Sequence, residues 1–161
     1  MLLIMKKKIM TAKVLDAYRI ISTAKYAKLD DEDKIRVWKI ARALKPIATK
    51  FEEESKDAAE KLKPTEDFSD RLQNAQEFEM AQKKPDFDAS KLKMGAAEYH
   101  EFIKEFQAYD KLVAKAVKEF ADKEVELDFD GISEDVFGKL MSSNDWTMEQ
   151  AVTISDIIIG G

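Results

Sequence analysis

The most regular apolar pattern of the chain lies between Gly95 and Asp122. Apolar residues alternate there at spacings of three and four, at Tyr99, Phe102, Phe106, Tyr109, Val113, Ala116 and Phe120. A similar stripe lies earlier in the chain, at Val37, Ala41, Leu44, Ala48, Phe51, Ala58 and Leu62. Its first half is widened by further apolar residues and is expected to be more deeply buried: Ile35, Trp38, Ile40 and Ile47. Such spacing places side chains on one face of an α-helix, so we predict helices over residues 31–62 and 94–122. The two should pack as a long antiparallel hairpin with Phe51 and Phe106 in its seam, and an intermolecular coiled coil is the alternative.

Caps and breakers divide the first third of the chain into helices. Thr11 is expected to cap a first helix, and Asp30 or Asp31 to open the second. Pro46 interrupts the second helix without shifting its apolar phase. We therefore predict one continuous, kinked helix, with a break at Lys45 as the alternative.

The later helices are predicted from shorter stripes and their caps. One short helix is expected over residues 68–82, followed by a loop over residues 83–90 that contains a proline. The path of residues 64–95 stays open at this point. Ser133 and Thr147 are expected to cap two short helices near the carboxyl end of the chain.

The period changes to two in the segment Glu-Val-Glu-Leu-Asp-Phe-Asp, residues 124–130. Strict alternation of acidic and apolar residues is typical of a half-buried strand, which needs a partner strand. The extended candidate is the lysine-rich run at residues 3–10, whose charge complements the acids. We predict a two-stranded β-ribbon that joins the N-terminus to residues 124–129, with the apolar side chains of residues 125, 127 and 129 facing inward.

These elements predict a mainly α protein that forms a single domain over residues 1–161. The helical hairpin, residues 31–122, should project from a core formed by residues 1–30 and 123–161. Because the apolar stripe narrows beyond Phe51, the distal part of the hairpin is expected to expose apolar surface. That surface could bind a second copy, so a homodimer is expected.

Composition and charge exclude several classes of protein. Hydrophobic residues make up 45% and charged residues 37%, which argues against both a disordered tail and a membrane protein. Without cysteine and with one histidine, the chain has no disulfide, thiol nucleophile or multi-histidine metal site. The net charge of −5 disfavours nucleic-acid binding. Since no secretory signal or transmembrane stretch is visible, a cytoplasmic location is expected, with no membrane partner.

A cluster of carboxylates is the strongest candidate for chemistry. Glu52, Glu53 and Asp57 could face Glu98 and Glu101 across the hairpin, and such oxygen ligands suit Mg²⁺. All-α nucleotide pyrophosphohydrolases use a motif E-E-x-x-E followed by E-x-x-D. This chain departs from both halves, and its interleaved lysines are typical of a solvated helix face. The enzyme therefore stays the alternative, and we assign no catalytic, cofactor-binding or metal-binding residue.

The remaining candidates favour structural roles. His100 is expected on the surface, because the spacing supplies no partner for catalysis. Lys6, Lys7 and Lys8 form too short a run for nucleic-acid binding. Trp38 and Trp146 are expected to anchor the core or its edge.

The order of these features resembles a known family. The features are the segments Thr11-Ala12-Lys13-Val14-Leu15-Asp16-Ala17-Tyr18, Leu44-Lys45-Pro46, Phe51-Glu52-Glu53-Glu54 and Glu124-Val125-Glu126-Leu127-Asp128-Phe129, followed by two short helices. In this order the chain resembles small uncharacterised proteins encoded by tailed bacteriophages and prophages, over about residues 5–62 and 98–159. It departs from them by an extra segment around residues 64–95.

The resemblance implies a phage or prophage origin and a role as an accessory or assembly protein, and it brings no activity. We therefore expect a non-enzymatic interaction protein without a cofactor. Its partner would be another protein or a second copy of the chain. Its location would be the host cytoplasm, with association with the virion as a second possibility. The alternative is a small all-α, Mg²⁺-dependent enzyme resembling a nucleotide pyrophosphohydrolase.

Overall fold

The computed structural model describes the backbone of residues 4–160 and the side chains of residues 6–160. In chain order its elements are β1 (Ile4–Met10), α1 (Thr11–Ser22), α2 (Asp31–Lys61), α3 (Phe68–Gln82), a 3₁₀ turn (Ala89–Lys91), α4 (Ala96–Asp122), β2 (Glu124–Asp130), α5 (Glu134–Ser143) and α6 (Met148–Ile158). The protein is mainly α with a small two-stranded sheet, as predicted. The predicted start of the first strand at Leu3 lies outside the described residues.

The sheet is the predicted ribbon, and its register follows the apolar face. β1 and β2 run antiparallel, with Ile9 opposite Val125 and Lys7 opposite Leu127. Leu127 is buried, whereas the acidic residues that alternate with it toward the start of the strand are exposed. Because a slip of one residue would turn the apolar face to solvent, burial of this face fixes the register.

Lys7 does not share the outer face of Lys6 and Lys8. It lies on the inner face, opposite Leu127. Its Nζ donates a hydrogen bond of 2.8 Å to the backbone carbonyl of Asp156, in the last turn of α6. A cation is favourable at that end of a helix, where carbonyl groups lack helical partners. The aliphatic stem of Lys7 can thus follow the core while its charge reaches α6.

Contacts divide the chain into two compact units. Among the described residues, the first contains residues 4–54 and 119–160, and the second contains residues 55–118. The core of the first unit is aliphatic and draws on α1, the first half of α2, β2, α5 and α6. Its fully buried members include Val14, Ala17, Ile21, Val37, Ile40, Leu44, Ile132, Leu140, Ile154 and Ile158.

Three of the predicted helix starts are confirmed by side-chain hydrogen bonds. The Asp30 carboxylate accepts from the Asp33 amide at 2.8 Å. The Ser133 hydroxyl accepts from the amide of Val136. Thr147 forms a reciprocal capping box with Gln150 at the start of α6.

The prediction that Thr11 caps α1 is wrong. Met10 precedes the first helical residue, and no side chain caps this end. The amide and the hydroxyl of Thr11 instead both donate to the Lys123 carbonyl, each at 2.8 Å. Thr11 directly follows β1, and Lys123 is the residue between α4 and β2. The hydrogen bonds of Thr11 join the two strands at one end of the ribbon, next to the pair Met10 and Glu124.

The second helix is continuous through Pro46, as predicted. α2 extends over Asp31–Lys61 without a break at Lys45. Proline lacks the amide hydrogen that would bond the carbonyl four residues earlier, which belongs to Arg42. Packing of Val37, Ile40 and Leu44 in the core holds the first half of this helix in place.

The apolar stripe of α4 packs against α3 in the second unit. Phe68 of α3 lies 5.3 Å from Phe102 and 4.7 Å from Tyr109, measured between ring centroids. At the other end of this contact, the ring of Phe78 stacks on Tyr99 at 4.6 Å. Together with Ala75 and Met94, these rings form an aromatic core separate from the aliphatic one.

This packing corrects the prediction of an exposed apolar stripe on the hairpin and gives Phe51 and Phe106 different surroundings. Phe106 belongs to the aromatic cluster of the second unit. Phe51 lines a cavity of the first unit with Phe120 and Val125, and a seam shared by Phe51 and Phe106 stays a prediction. The apolar stripe is not exposed over the first half of α4, because Phe102 is buried and the adjacent stripe residues Tyr99 and Phe106 are half-buried. The reason is that α3 carries its own apolar stripe, which requires a partner.

Candidate interaction surface

The carboxylates that could have formed a Mg²⁺ site do not converge. Within residues 6–160, no group of three acidic or histidine side chains is arranged to hold a metal ion. Glu52 and Glu53 lie exposed on α2, as do Glu98 and Glu101 on α4.

Glu105, a further acid on α4, is engaged by an arginine of α3. The Arg71 guanidinium donates to its two carboxylate oxygens at 2.6 and 3.1 Å. These hydrogen bonds raise the pKa of Arg71 above its ordinary value. Arg71 also lies 5.1 Å from the centre of the Phe102 ring, so this ion pair borders the aromatic core. The arrangement stabilises the contact between α3 and α4.

The other candidate residues fall into different environments. His100 is exposed, with its ring 5.6 Å from that of Tyr99. Trp146 is half-buried against Phe137, in agreement with its predicted role at the core edge. Trp38 departs from that prediction, because 55% of its surface is exposed.

Trp38 is part of an apolar face of α2 that points away from the core. Ile35, three residues earlier, is 53% exposed. The sequence placed both residues in a broad buried stripe, yet the core accepts Val37 and Ile40, which lie on the opposite side of the helix. The guanidinium of Arg42 lies 5.3 Å from the centre of the Trp38 ring. An isoleucine, a tryptophan and an arginine are thus presented together at the surface.

β2 has an open edge. The sheet has two strands in the described part of the chain, so each strand is paired along one side only. In residues 4–160, the backbone of β2 is hydrogen-bonded to β1 and to no other segment. Alternate residues of an edge strand direct their amide and carbonyl groups away from the sheet. These groups can bond an added strand.

A groove of about 630 Å³ separates this strand from α2. Its α2 wall is formed by Glu32, Ile35, Arg36, Lys39 and Ala43, and its β2 wall by Asp128, Phe129 and Asp130. An ion pair of 2.9 Å neutralises Arg36 with Glu32. The groove therefore combines apolar patches with acids on the strand side and with the Lys39 cation on the helix side.

The sequence contained a signal for the open edge, although not for the exposed face of α2. The alternating pattern of β2 had one candidate partner strand in the chain, which leaves the second side of β2 unpaired. The exposure of Ile35 and Trp38 follows from the limited width of the core. We refer below to the groove, the exposed side chains of Ile35, Trp38 and Arg42 and the open edge of β2 as the α2–β2 face.

Two general findings bear on the function of this surface. In the described residues, no helix combines the length and apolar character required to cross a membrane. Comparison of the chain with protein-family models, curated proteins and solved structures gives no match.

Proposed function

We propose that this chain is a non-enzymatic interaction protein, an accessory or assembly factor of phage or prophage origin. The observation that carries the proposal is the α2–β2 face, where the exposed Ile35 lines the groove beside the open edge of β2 and Trp38 lies one turn further along α2. The resemblance of the chain to small phage proteins supports the origin. For a protein of this origin we propose a location in the host cytoplasm, with the virion as a second location.

The residue types on this face are those that contribute most to binding between proteins. Tryptophan and arginine are enriched among residues whose truncation weakens complexes, because they bury large areas with few rotatable bonds or form several hydrogen bonds. Trp38 and Arg42 already lie against each other, so little conformational freedom would be lost when a partner covers them. A protein partner or a second copy of the chain would supply the apolar surface that covers Ile35.

The test is capture of a partner by the immobilised chain from lysates of bacteria carrying the phage or prophage. The face variant Ile35→Ser/Trp38→Ser removes two exposed apolar side chains from α2. The control variant Met148→Ser/Val152→Ser removes two from α6, which are 76% and 50% exposed. We expect one protein to be retained by the native chain and the control, and lost with the face variant.

Two results would overturn the proposal. One is equal capture by the native chain and the face variant, which would mean that the α2–β2 face does not bind. The other is Mg²⁺-dependent hydrolysis of nucleotides that is abolished by Glu53→Gln, which would establish the alternative enzyme. Mass measurement by light scattering distinguishes a second copy from a different protein as the partner.

A further inference from the structure

We infer that the partner adds a third strand along the open edge of β2, and that this strand alternates lysine or arginine with apolar residues. The inference rests on the proposed interaction function and specifies the chemistry of its partner. It draws on three observations: the composition of β1, the charge pattern of β2 and the shape of the groove.

β1 shows which kind of strand β2 accepts on its paired side. Lys6 lies opposite Asp128 and Lys8 opposite Glu126. On the inner face, Ile9 lies opposite Val125 and packs against the core, and Lys7 lies opposite Leu127 with its ammonium group bonded to the Asp156 carbonyl. Since β2 presents the same side chains to both of its neighbours, a strand on the open side meets the same alternation. Cations on the outer face would pair with the acids, and apolar residues would continue the inner face.

The charge pattern also argues against a second copy of β2 as the added strand. In an antiparallel pair centred on Leu127, Glu126 of one copy would lie opposite Asp128 of the other. Glu124 would likewise lie opposite Asp130. Like charges directly opposite each other destabilise strand pairing, and acidic edges are a common protection against self-association. The acids of β2 therefore disfavour self-pairing and favour a cationic segment.

The groove provides room for such a strand and an apolar contact for its inner face. It is bordered by Ile35 and Ala43 on α2 and by Phe129 on β2. A strand matched to the seven residues of β2 would be about 23 Å long, at the usual rise for each residue. The 630 Å³ of the groove holds the part of that strand nearest the end of β2. Main-chain hydrogen bonds would supply affinity and the alternating charges specificity.

The probe for this inference is a synthetic peptide of seven residues, Lys-Ile-Lys-Val-Lys-Val-Lys, blocked at both ends, whose lysines lie opposite the four acids of β2 when the two strands are matched over their full length. The first control peptide has glutamate in place of lysine. The second keeps the lysines but carries N-methyl groups on alternate amides, which removes the main-chain donors along one edge. Binding to the full chain is followed by backbone-amide NMR, which reports both affinity and location.

We expect the lysine peptide to shift the amide signals of β2 and of residues 32–43. Its affinity should exceed that of the glutamate peptide by about tenfold or more, because four favourable charge pairs replace four repulsive ones. The N-methylated peptide should bind much more weakly, since it cannot complete the ladder. The chain variant Asp128→Asn/Asp130→Asn should lose about fivefold in affinity. The matched variant Asp70→Asn/Asp110→Asn, on α3 and α4, should bind like the native chain.

Equal binding of the lysine and glutamate peptides would overturn the inference, as would shifts confined to other elements. Undiminished binding of the N-methylated peptide would also overturn it, because the contact would then be electrostatic without an added strand. These failures differ from a failure of the proposed function. If the peptide does not bind but Ile35→Ser/Trp38→Ser still loses its captured partner, the interaction function stands and the added strand is wrong.

Discussion

Replacing Phe102 by alanine tests whether α3 is the partner of the aromatic stripe on α4. The Phe102 ring is 1% exposed and lies 5.3 Å from Phe68 and 6.3 Å from Phe106. The guanidinium of Arg71 covers it at 5.1 Å. The substitution therefore removes the centre of the aromatic core and the ring next to the Arg71–Glu105 ion pair.

The expected loss of unfolding free energy is about 3–5 kcal/mol, the usual range for removal of a buried phenylalanine side chain. Phe102→Leu conserves most of the volume and should lose less, about 1–2 kcal/mol. The exposed residue Leu112, on the same helix, provides the control. Leu112→Ala should change the free energy by about 0.5 kcal/mol or less. A double-mutant cycle with Phe68→Ala should give a coupling of about 0.5–1.5 kcal/mol.

Urea denaturation followed by circular dichroism measures these differences, and Phe102→Leu keeps the test valid if Phe102→Ala does not fold. Hydrogen exchange should locate the loss in α3 and in the first half of α4. A loss below about 1 kcal/mol in Phe102→Ala would refute the reasoning. So would a coupling of zero with Phe68, because the two rings would then not be in contact.

Three further predictions follow from single contacts. Thr11→Val should lower the free energy of unfolding by about 1 kcal/mol, because it removes the hydroxyl that bonds the Lys123 carbonyl. Thr11→Ser keeps the hydroxyl and should lower it less. Equal losses of the two variants in urea denaturation would contradict this role. Thr147→Ala should cost about 1 kcal/mol by removing the capping box of α6, and an unchanged denaturation midpoint would argue against it. Hydrogen bonds from the Ser90 hydroxyl and amide lower the pKa of Asp88 below its ordinary value of 3.8. The contact therefore contributes its full stability above pH 3.8 and loses it as the pH falls through the lowered pKa. NMR titration should show the low midpoint, and Ser90→Ala should raise it; no change in this variant would contradict the assignment.

Local patterns were sufficient to predict most of the elements. The bounds of α4 follow from the three-four spacing of its own apolar residues. The register of the ribbon follows from the alternation of acidic and apolar residues along β2. The continuous helix through Pro46 could be predicted because the apolar phase is the same on both sides of the proline. In each case the information lies in neighbouring residues, and burial of one face decides the outcome.

The choice of partners could not be predicted in the same way. The stripe of α4 shows that it needs a partner, but both α2 and α3 offer apolar faces of suitable spacing. The prediction that Thr11 caps α1 is wrong because a threonine before an apolar run is typical of a helix cap, whereas here β1 continues directly into α1. Alternation along β1 separates Lys7 from Lys6 and Lys8, but it does not show that Lys7 bonds the end of α6, because that contact joins residues 149 positions apart.

The candidate surface was predictable only in part. Alternating acids and one available partner strand imply that β2 has an acidic open edge. Ile35 and Trp38 were expected to be buried, because an apolar stripe on a helix does not show how wide the core beneath it is. Only the packing of Val37 and Ile40 against the other elements of the first unit shows which side of α2 remains uncovered.

The open edge of β2 is the feature on which the functional account depends most, and hydrogen exchange of the free chain measures it directly. In an antiparallel pair, alternate residues direct their amides toward the partner strand and the others away from it. The account predicts that the amides of residues 124–130 alternate between slow and fast exchange, and that the pattern is unchanged on dilution. Slow exchange at every one of these amides would contradict the account, because a further segment would then already cover the edge.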